Sequence, residues 1–329
     1  MDERKRNEFD YESEGETMYP LKLKPIYDKT IWANNKLTTL RDVKEEGCGT
    51  CWEVSAHPYA QNKVLNGEYK GMDLLTLIQE NEKAMLGTHT LEKMLRLAYL
   101  DAKEDLSIQV HPYNSYAMAH DNDLGKTESW YVLEAEEGAT LVAGTLCDDK
   151  DVLRKAIEEE NLEQYLRKVP MQAGDFIFVP AGMLHALGGG IFAIEVGTNS
   201  NTTYRFYDYG RKDANGNGRE LHLEKSFDVV DLSLQSEKVS TPLEDGKEQA
   251  KMLVSCDDFC VMLYDIDGEK TFDTKGIDFH TLSFVHNDAV IEYCGESIPV
   301  HYTDNVFVPA ACEKYTIKGK CRVLISTAR

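Results

Sequence analysis

Four side chains in this sequence have the types and spacing that bind a divalent cation and leave it open to react. Gln109 and His111 stand two apart in the apolar, β-branched run Leu106-Ser107-Ile108-Gln109-Val110-His111. On a strand both project from one face. Glu128 opens a second apolar run, through Trp130-Tyr131-Val132-Leu133, and His185 closes a third that begins at Phe176. An amide oxygen, a carboxylate and two imidazoles on neighbouring strands can converge on one ion. Such a set leaves a coordination position for water or substrate, which catalytic sites keep and closed structural sites lack. The competing readings are a hydrogen-bonded core histidine and a salt-bridged strand-end glutamate. The sequence is expected to hold one metal ion for chemistry.

These donors need strands to carry them. Leu141–Gly144, Phe176–Pro180 and Ile191–Glu195 read as material for a jelly-roll barrel. Two stretches read as helices: Met72 to Glu82, and the Glu- and Lys-rich Asp148 to Lys168 with an apolar stripe and Pro170 beyond its end. The predicted organisation is an extension over 1–18, a catalytic domain with helical insertions over 19–235, and a second β-rich domain over 250–329. The polar residues from 233 to about 249 read as a linker. His280, His286 and His301 in the last domain are scattered, and His89, His120 and His222 have no ligand spacing. All six are expected on the surface or in packing. His57, in Ser55-Ala56-His57-Pro58, is a candidate for the cleft.

Length and charge narrow the classes. The 329 residues can bury a sizeable core. Lys and Arg total 36 against 57 acidic residues, a net charge of −21. That field repels nucleic acid and anionic membrane, so neither is an expected partner, and a phosphate site would need local positive charge. No apolar run of about 18 residues marks a membrane span, and the N-terminus lacks a secretory pattern. Eight cysteines without a dense framework suit a reducing cytoplasm. Cys48-Gly49-Thr50-Cys51 stands alone and reads as two ordinary thiols.

The same residues carry a family resemblance. Gly174, Pro180, Gly182 and His185 are spaced as in the second cupin motif. Gln109-x-His111 with Glu128 stands where the first motif has His-x-His and Glu, which resembles the type I mannose-6-phosphate isomerases. Further matching segments are Leu21-Lys22-Leu23-Lys24-Pro25, Trp52 to Pro58, Thr203 to Arg211 and Arg219-Glu220-Leu221-His222. The resemblance implies a mainly β cupin jelly roll with inserted helices and a smaller, partial second cupin. It implies one Zn2+ per chain on Gln109, His111, Glu128 and His185. It also implies an aldose–ketose isomerase of mannose 6-phosphate and fructose 6-phosphate working through an enediol.

Within that resemblance Arg205 is the expected enediolate cation, since it stays charged. Lys126, two residues from Glu128, is expected beside the metal and Arg205 with a lowered pKa suited to proton transfer. Glu195 is either the second proton carrier or a partner that orients Arg205. Two departures stand out. The family lysine that joins Ser107 at the substrate phosphate is Ala98 here, so Arg96 on the same strand face is expected to compensate. The usual Asn-Ser-Asp is Asn199-Ser200-Asn201. An unphosphorylated or different sugar, or a sugar-binding cupin without isomerase activity, remain as alternatives.

Overall fold

The computed structural model describes residues 18–212, 216–243 and 248–329. Two antiparallel sheets enclose the core that carries the donors. One runs, in spatial order, Leu166–Pro170, Thr140–Thr145, His185–Ala186, Ile108–Val110 and Tyr204–Tyr207. The other runs Val239–Ser240, Asp175–Val179, Glu128–Ala135, Ile191–Thr198, Leu95–Asp101, Cys48–Val54 and Ile26–Lys29. Side chains alternate across each strand. Trp130, Val132, Leu141, Ala143, Ile177 and Ala193 therefore meet between the sheets in one buried cluster. Each outer face is apolar too. Helices Lys150–Glu158 and Leu223–Val229 cover the first sheet through Leu153, Ile157 and Phe227 against Ile108, Val110 and Phe206.

The outer face of the second sheet is covered by the short helices Leu74–Glu80 and Glu82–Leu86 and by a third sheet built by the C-terminal residues. That sheet runs Leu21–Lys22, Asn305–Val308, His280–His286, Lys314–Ala328, Phe259–Asp273 and Gln249–Ser255, with the hairpin Ala289–Tyr293/Glu296–Val300 off the long final strand. The mainly β architecture with inserted helices is the expected one. Among the described residues no helix is long and apolar enough to cross a membrane.

Several boundaries differ from the sequence reading. The helix predicted over Asp148–Lys168 stops at Glu158; Leu162–Tyr165 is a 3-10 turn and Leu166–Pro170 a strand. Glu160 sits at φ +53°, a left-handed conformation that cannot continue a helix. Residues 1–17 of the predicted extension lie outside the described residues, but Met18 is buried in the core and its carbonyl accepts from Tyr293 Oη. The predicted linker does not hang free throughout: Val239–Ser240 pairs with Asp175 and Phe176, while 244–247 lie outside the described residues. Leu21–Lys22 pairs with Asn305–Val308, so the beginning of the chain belongs to the C-terminal sheet.

Candidate metal centre and its cleft

Strands Glu128–Ala135 and His185–Ala186 and the residue just past Ile108–Val110 bring three of the sequence-predicted ligands together. Ligand atoms of His111, Glu128 and His185 all lie within 4.8 Å of one another, and the three side chains are buried. His111 Nε2 is 3.4 Å from Glu128 Oε2, and His185 Nε2 is 3.3 Å from Glu128 Oε1. Each imidazole bonds a carbonyl through Nδ1: His111 to Thr202 at 3.0 Å, His185 to Met183 at 2.8 Å. A carbonyl only accepts, so both Nδ1 atoms carry the proton and both Nε2 lone pairs face the carboxylate. Burial, Lys126 and His185 push His111 down to about 4 against the pull of Glu128, which keeps it neutral. Glu128 Oε1 has no aligned hydrogen-bond donor. Two imidazole Nε2 atoms and an orphaned carboxylate oxygen gathered at one point suit a divalent cation. Gln109 stands directly opposite His185 in the strand register. Among the described residues no second cluster of His, Cys, Asp or Glu has this geometry.

Beside the centre lies a buried ion-pair chain. Lys126 Nζ is 2.6 Å from Glu128 Oε2 and 2.9 Å from Glu195 Oε1. Trp130 Nε1 donates to Glu195 Oε2 at 3.4 Å. This corrects two expectations. Lys126 is not held low by a neighbouring arginine: burial opposes its charge, but Glu128 and Glu195 outweigh burial and raise its pKa. Glu195 orients Lys126 rather than Arg205, and burial together with Glu128 raises its carboxyl above the usual carboxylate range. Gly197 sits in register between Arg96 and Glu128. A Cβ there would come within 3.0 Å of the Glu128 Cβ and 2.8 Å of the Thr127 carbonyl, so only glycine leaves Glu128 its place.

Arg96, on the same face as Ala98, is 1% exposed and stacks on the Trp52 ring, 3.5 Å from its centroid. Its Nη1 donates to the Ser200 carbonyl at 2.7 Å and to Asn201 Oδ1 at 3.0 Å, while Nε and Nη2 have no partner. Ala98 itself faces Glu195 across the register and is buried.

Arg205 lies opposite Gln109 in register, donates through Nη1 to the Glu220 carbonyl at 2.7 Å and leaves its buried Nε without a partner. Burial and then Arg219 lower its pKa, with Arg211 adding to the repulsion. Asp208 offsets this group by accepting from Arg211 and Arg219. Arg211 Nη1 also reaches the carbonyl of Asp105, two residues before the buried Ser107. Sequence reasoning used Arg211 and Arg219 only as markers and gave them no role. Arg211 and Arg219 share the Asp208 carboxylate beside Arg205, and the three guanidinium groups supply the local positive charge that the acidic surface lacks. His222 is likewise no bystander: its Nδ1 accepts from the Arg205 backbone N–H at 3.0 Å.

A cavity of about 880 Å3 opens beside these residues, lined by His57, Tyr59, Asp123, Asn199, Asn201 and Lys225 among others. Asp123 had no sequence signal beyond its type; its importance comes from four donors that converge on it from separate segments.

Comparison with known proteins follows the same line. Residues 21–145 match the family described as phosphomannose isomerase type I, catalytic domain, and residues 249–328 match mannose-6-phosphate isomerase, cupin domain. A putative mannose-6-phosphate isomerase of Bacillus subtilis is 34% identical over 317 residues, covering 94% of this chain and 99% of that protein. The mannose-6-phosphate isomerase of Streptococcus mutans is 34% identical over 309 residues, covering 93% and 98%. The crystal structure of mannose 6-phosphate isomerase from Bacillus subtilis superposes with a TM-score of 0.82 at 31% identity, covering 94% of this chain and 99% of that one.

Proposed function

The chain belongs to the type I mannose-6-phosphate isomerase family and is an isomerase, and from that premise we propose that it interconverts mannose 6-phosphate and fructose 6-phosphate through an enediol. The observation that carries the metal part is the paired orientation of His111 and His185, each with Nδ1 on a carbonyl and Nε2 toward Glu128. With Gln109 beside them, these residues would hold one divalent ion, zinc being a good match to a mixed nitrogen and oxygen set. A bound ion would polarise the sugar carbonyl oxygen without bringing a proton of its own.

The remaining chemistry is assigned to the chain itself. The proton that moves between C1 and C2 falls to the Lys126–Glu195 pair, which is buried from water and joins a cation to a carboxyl of raised proton affinity. Arg205 faces the developing oxyanion as a fixed charge, backed by Arg211 and Arg219. Ser107 and Arg96 hold the phosphate: the idle Nε and Nη2 of Arg96 are donors awaiting an acceptor. A second arrangement puts the phosphate between Ser107 and Arg211, favoured by the reach of Arg211 to the Asp105 carbonyl. The ligand class is in either case a small sugar phosphate. Eight free cysteines agree with a reducing, cytoplasmic setting.

The experiment is a coupled assay on mannose 6-phosphate beside free mannose, run on chelated protein before and after zinc is restored. Zinc-dependent turnover of the phosphate ester alone is expected. Turnover of free mannose at a comparable rate would replace the substrate, and full activity after complete chelation would remove the metal.

A further inference from the structure

Asp123 binds neither the metal ligands nor the ion-pair chain directly, yet its carboxylate collects donors from three parts of the chain. Oδ1 accepts the Leu124 N–H at 2.7 Å and faces His57 Nε2 at 3.3 Å. Oδ2 accepts the Asn201 N–H at 2.9 Å and the Thr202 hydroxyl at 3.0 Å. The segment it clamps serves the site twice. Thr202 offers the carbonyl that takes the Nδ1 proton of His111, and Ser200 and Asn201 offer the oxygens that take Arg96 Nη1. Ser200 is itself tied across to the Leu124 carbonyl through its hydroxyl at 2.7 Å. The residues 123–124 and 200–202 therefore form one hydrogen-bonded unit.

His57 completes it. Its Nδ1 accepts the Tyr59 N–H at 3.1 Å, so the ring proton sits on Nε2 and points at Asp123. Both ring nitrogens are occupied by the protein's own groups, which makes His57 a brace for Asp123 rather than an acid or base.

We propose that Asp123 is a positioning residue: by holding the backbone at Asn201 and Thr202 it sets the imidazole of His111 and the guanidinium of Arg96 together. The inference rests on the metal and substrate roles proposed for those two residues. Partners of a metal-binding histidine fix its tautomer and ring orientation, and their loss typically weakens metal affinity by about 10–100-fold. Asp123 reaches His111 through one intervening carbonyl and Arg96 through one side-chain amide, so a single substitution acts on both.

The test compares wild type with Asp123→Ala, Asp123→Asn, His57→Phe and His57→Gln. Zinc dissociation constants come from competition with a chromogenic chelator, and kcat and KM for mannose 6-phosphate are measured at saturating zinc. Circular dichroism of the metal-free proteins checks folding. Asp123→Ala is expected to raise the zinc Kd by about 10–100-fold and KM by roughly 10-fold, the scale of one charge-assisted contact. His57→Gln keeps an N–H for Asp123 and should stay near wild type, whereas His57→Phe should move in the same direction as Asp123→Ala. Unchanged zinc affinity and KM in folded Asp123→Ala overturn the inference. Should that variant not fold, equal zinc affinity in His57→Phe and wild type does so. Wild type without zinc affinity would instead overturn the metal reading and the His111 arm with it.

Discussion

At the scale of residues, the His111–Glu128–His185 cluster and the neighbouring Arg96 make two separable predictions. His185→Ala removes one of two nitrogen donors and should lower bound zinc and turnover together; metal analysis showing one zinc per chain in that variant would take His185 out of the ligand set. Arg96→Leu removes the idle guanidinium edge and should raise KM for the phosphate ester by about 10–100-fold, the scale of a lost charge-assisted contact. Ala98 faces Glu195 in register, so Ala98→Lys alone would set a second ammonium against the carboxyl that Lys126 already holds. In the Arg96→Leu background the same lysine has no guanidinium nearby, and there it should recover part of the lost KM. If Arg211→Leu raises KM and Arg96→Leu does not, the phosphate belongs with Arg211. The types of these residues were legible in the sequence, and so was the two-residue phase of Gln109 and His111. Their partners were not: that Lys126 meets Glu195 rather than Arg205 follows from how the segment before Glu128 packs against Ile191–Thr198, which a single sequence does not state.

At the scale of elements, strands place the donors and their small residues set the spacing. Gly197 lets Arg96 and Glu128 share one row of the sheet, and Gly197→Ala should weaken zinc binding while leaving secondary structure intact, read by chelator competition and circular dichroism. A second element carries a pH effect away from the site. His280, on His280–His286, is bonded to Tyr315 at 2.8 Å, and burial lowers its pKa from 6.5 to about 4 against the pull of Asp278 and Asp273. The unfolded chain therefore takes up the proton first as pH falls. Stability from this residue is complete above about 6.5 and is lost progressively toward about 4, by up to about 3 kcal/mol. Urea unfolding of wild type and His280→Gln at pH 7 and pH 4.5 measures it; parallel losses in the two proteins would assign the effect elsewhere. Long apolar strands such as Ile191–Thr198 were readable from their residues. The strand Leu166–Pro170 was not, because the Glu- and Lys-rich run before it extends the helical pattern past the point where Glu160 turns it.

At the scale of the molecule, the sheet that carries Glu128 and Glu195 is sandwiched between the metal core and the C-terminal sheet. The join is partly polar. Glu53 accepts from Arg41 at 2.7 Å and from Asn305 Nδ2 at 3.1 Å, and Arg41 also reaches the Thr303 carbonyl. Glu53→Ala would leave Arg41 buried without its counter-charge, a loss of about 3–5 kcal/mol expected for a broken buried pair. Denaturant unfolding checks it. The rest of the join is apolar, with Val54, Leu97, Tyr99 and Ile194 in one buried cluster with Leu253, Phe259, Val261 and Leu324. A chain cut after residue 243 would expose that face and should aggregate rather than yield a small active enzyme. Light scattering of the truncated protein decides this. The return of Leu21–Lys22 to the far sheet could not be read from the sequence, since a two-residue strand leaves no pattern.

That return has a consequence for how the protein is made. The first strand among the described residues, Leu21–Lys22, pairs with Asn305–Val308, and the last, Lys314–Ala328, lies in the middle of the same sheet between Phe259–Asp273 and His280–His286. On the ribosome the opening strand emerges long before its partner is synthesised, and the central strand emerges last of all. The part of the outer apolar face of the Glu128-bearing sheet that the C-terminal sheet covers stays open until those late strands are made. The metal site's own strands can pair early, but the molecule closes only once Lys314–Ala328 is available, through contacts of large sequence separation. Such closure is slow and exposed to misassembly, so the yield of active enzyme in cells should depend on translation rate and chaperone supply more steeply than its folded stability would suggest.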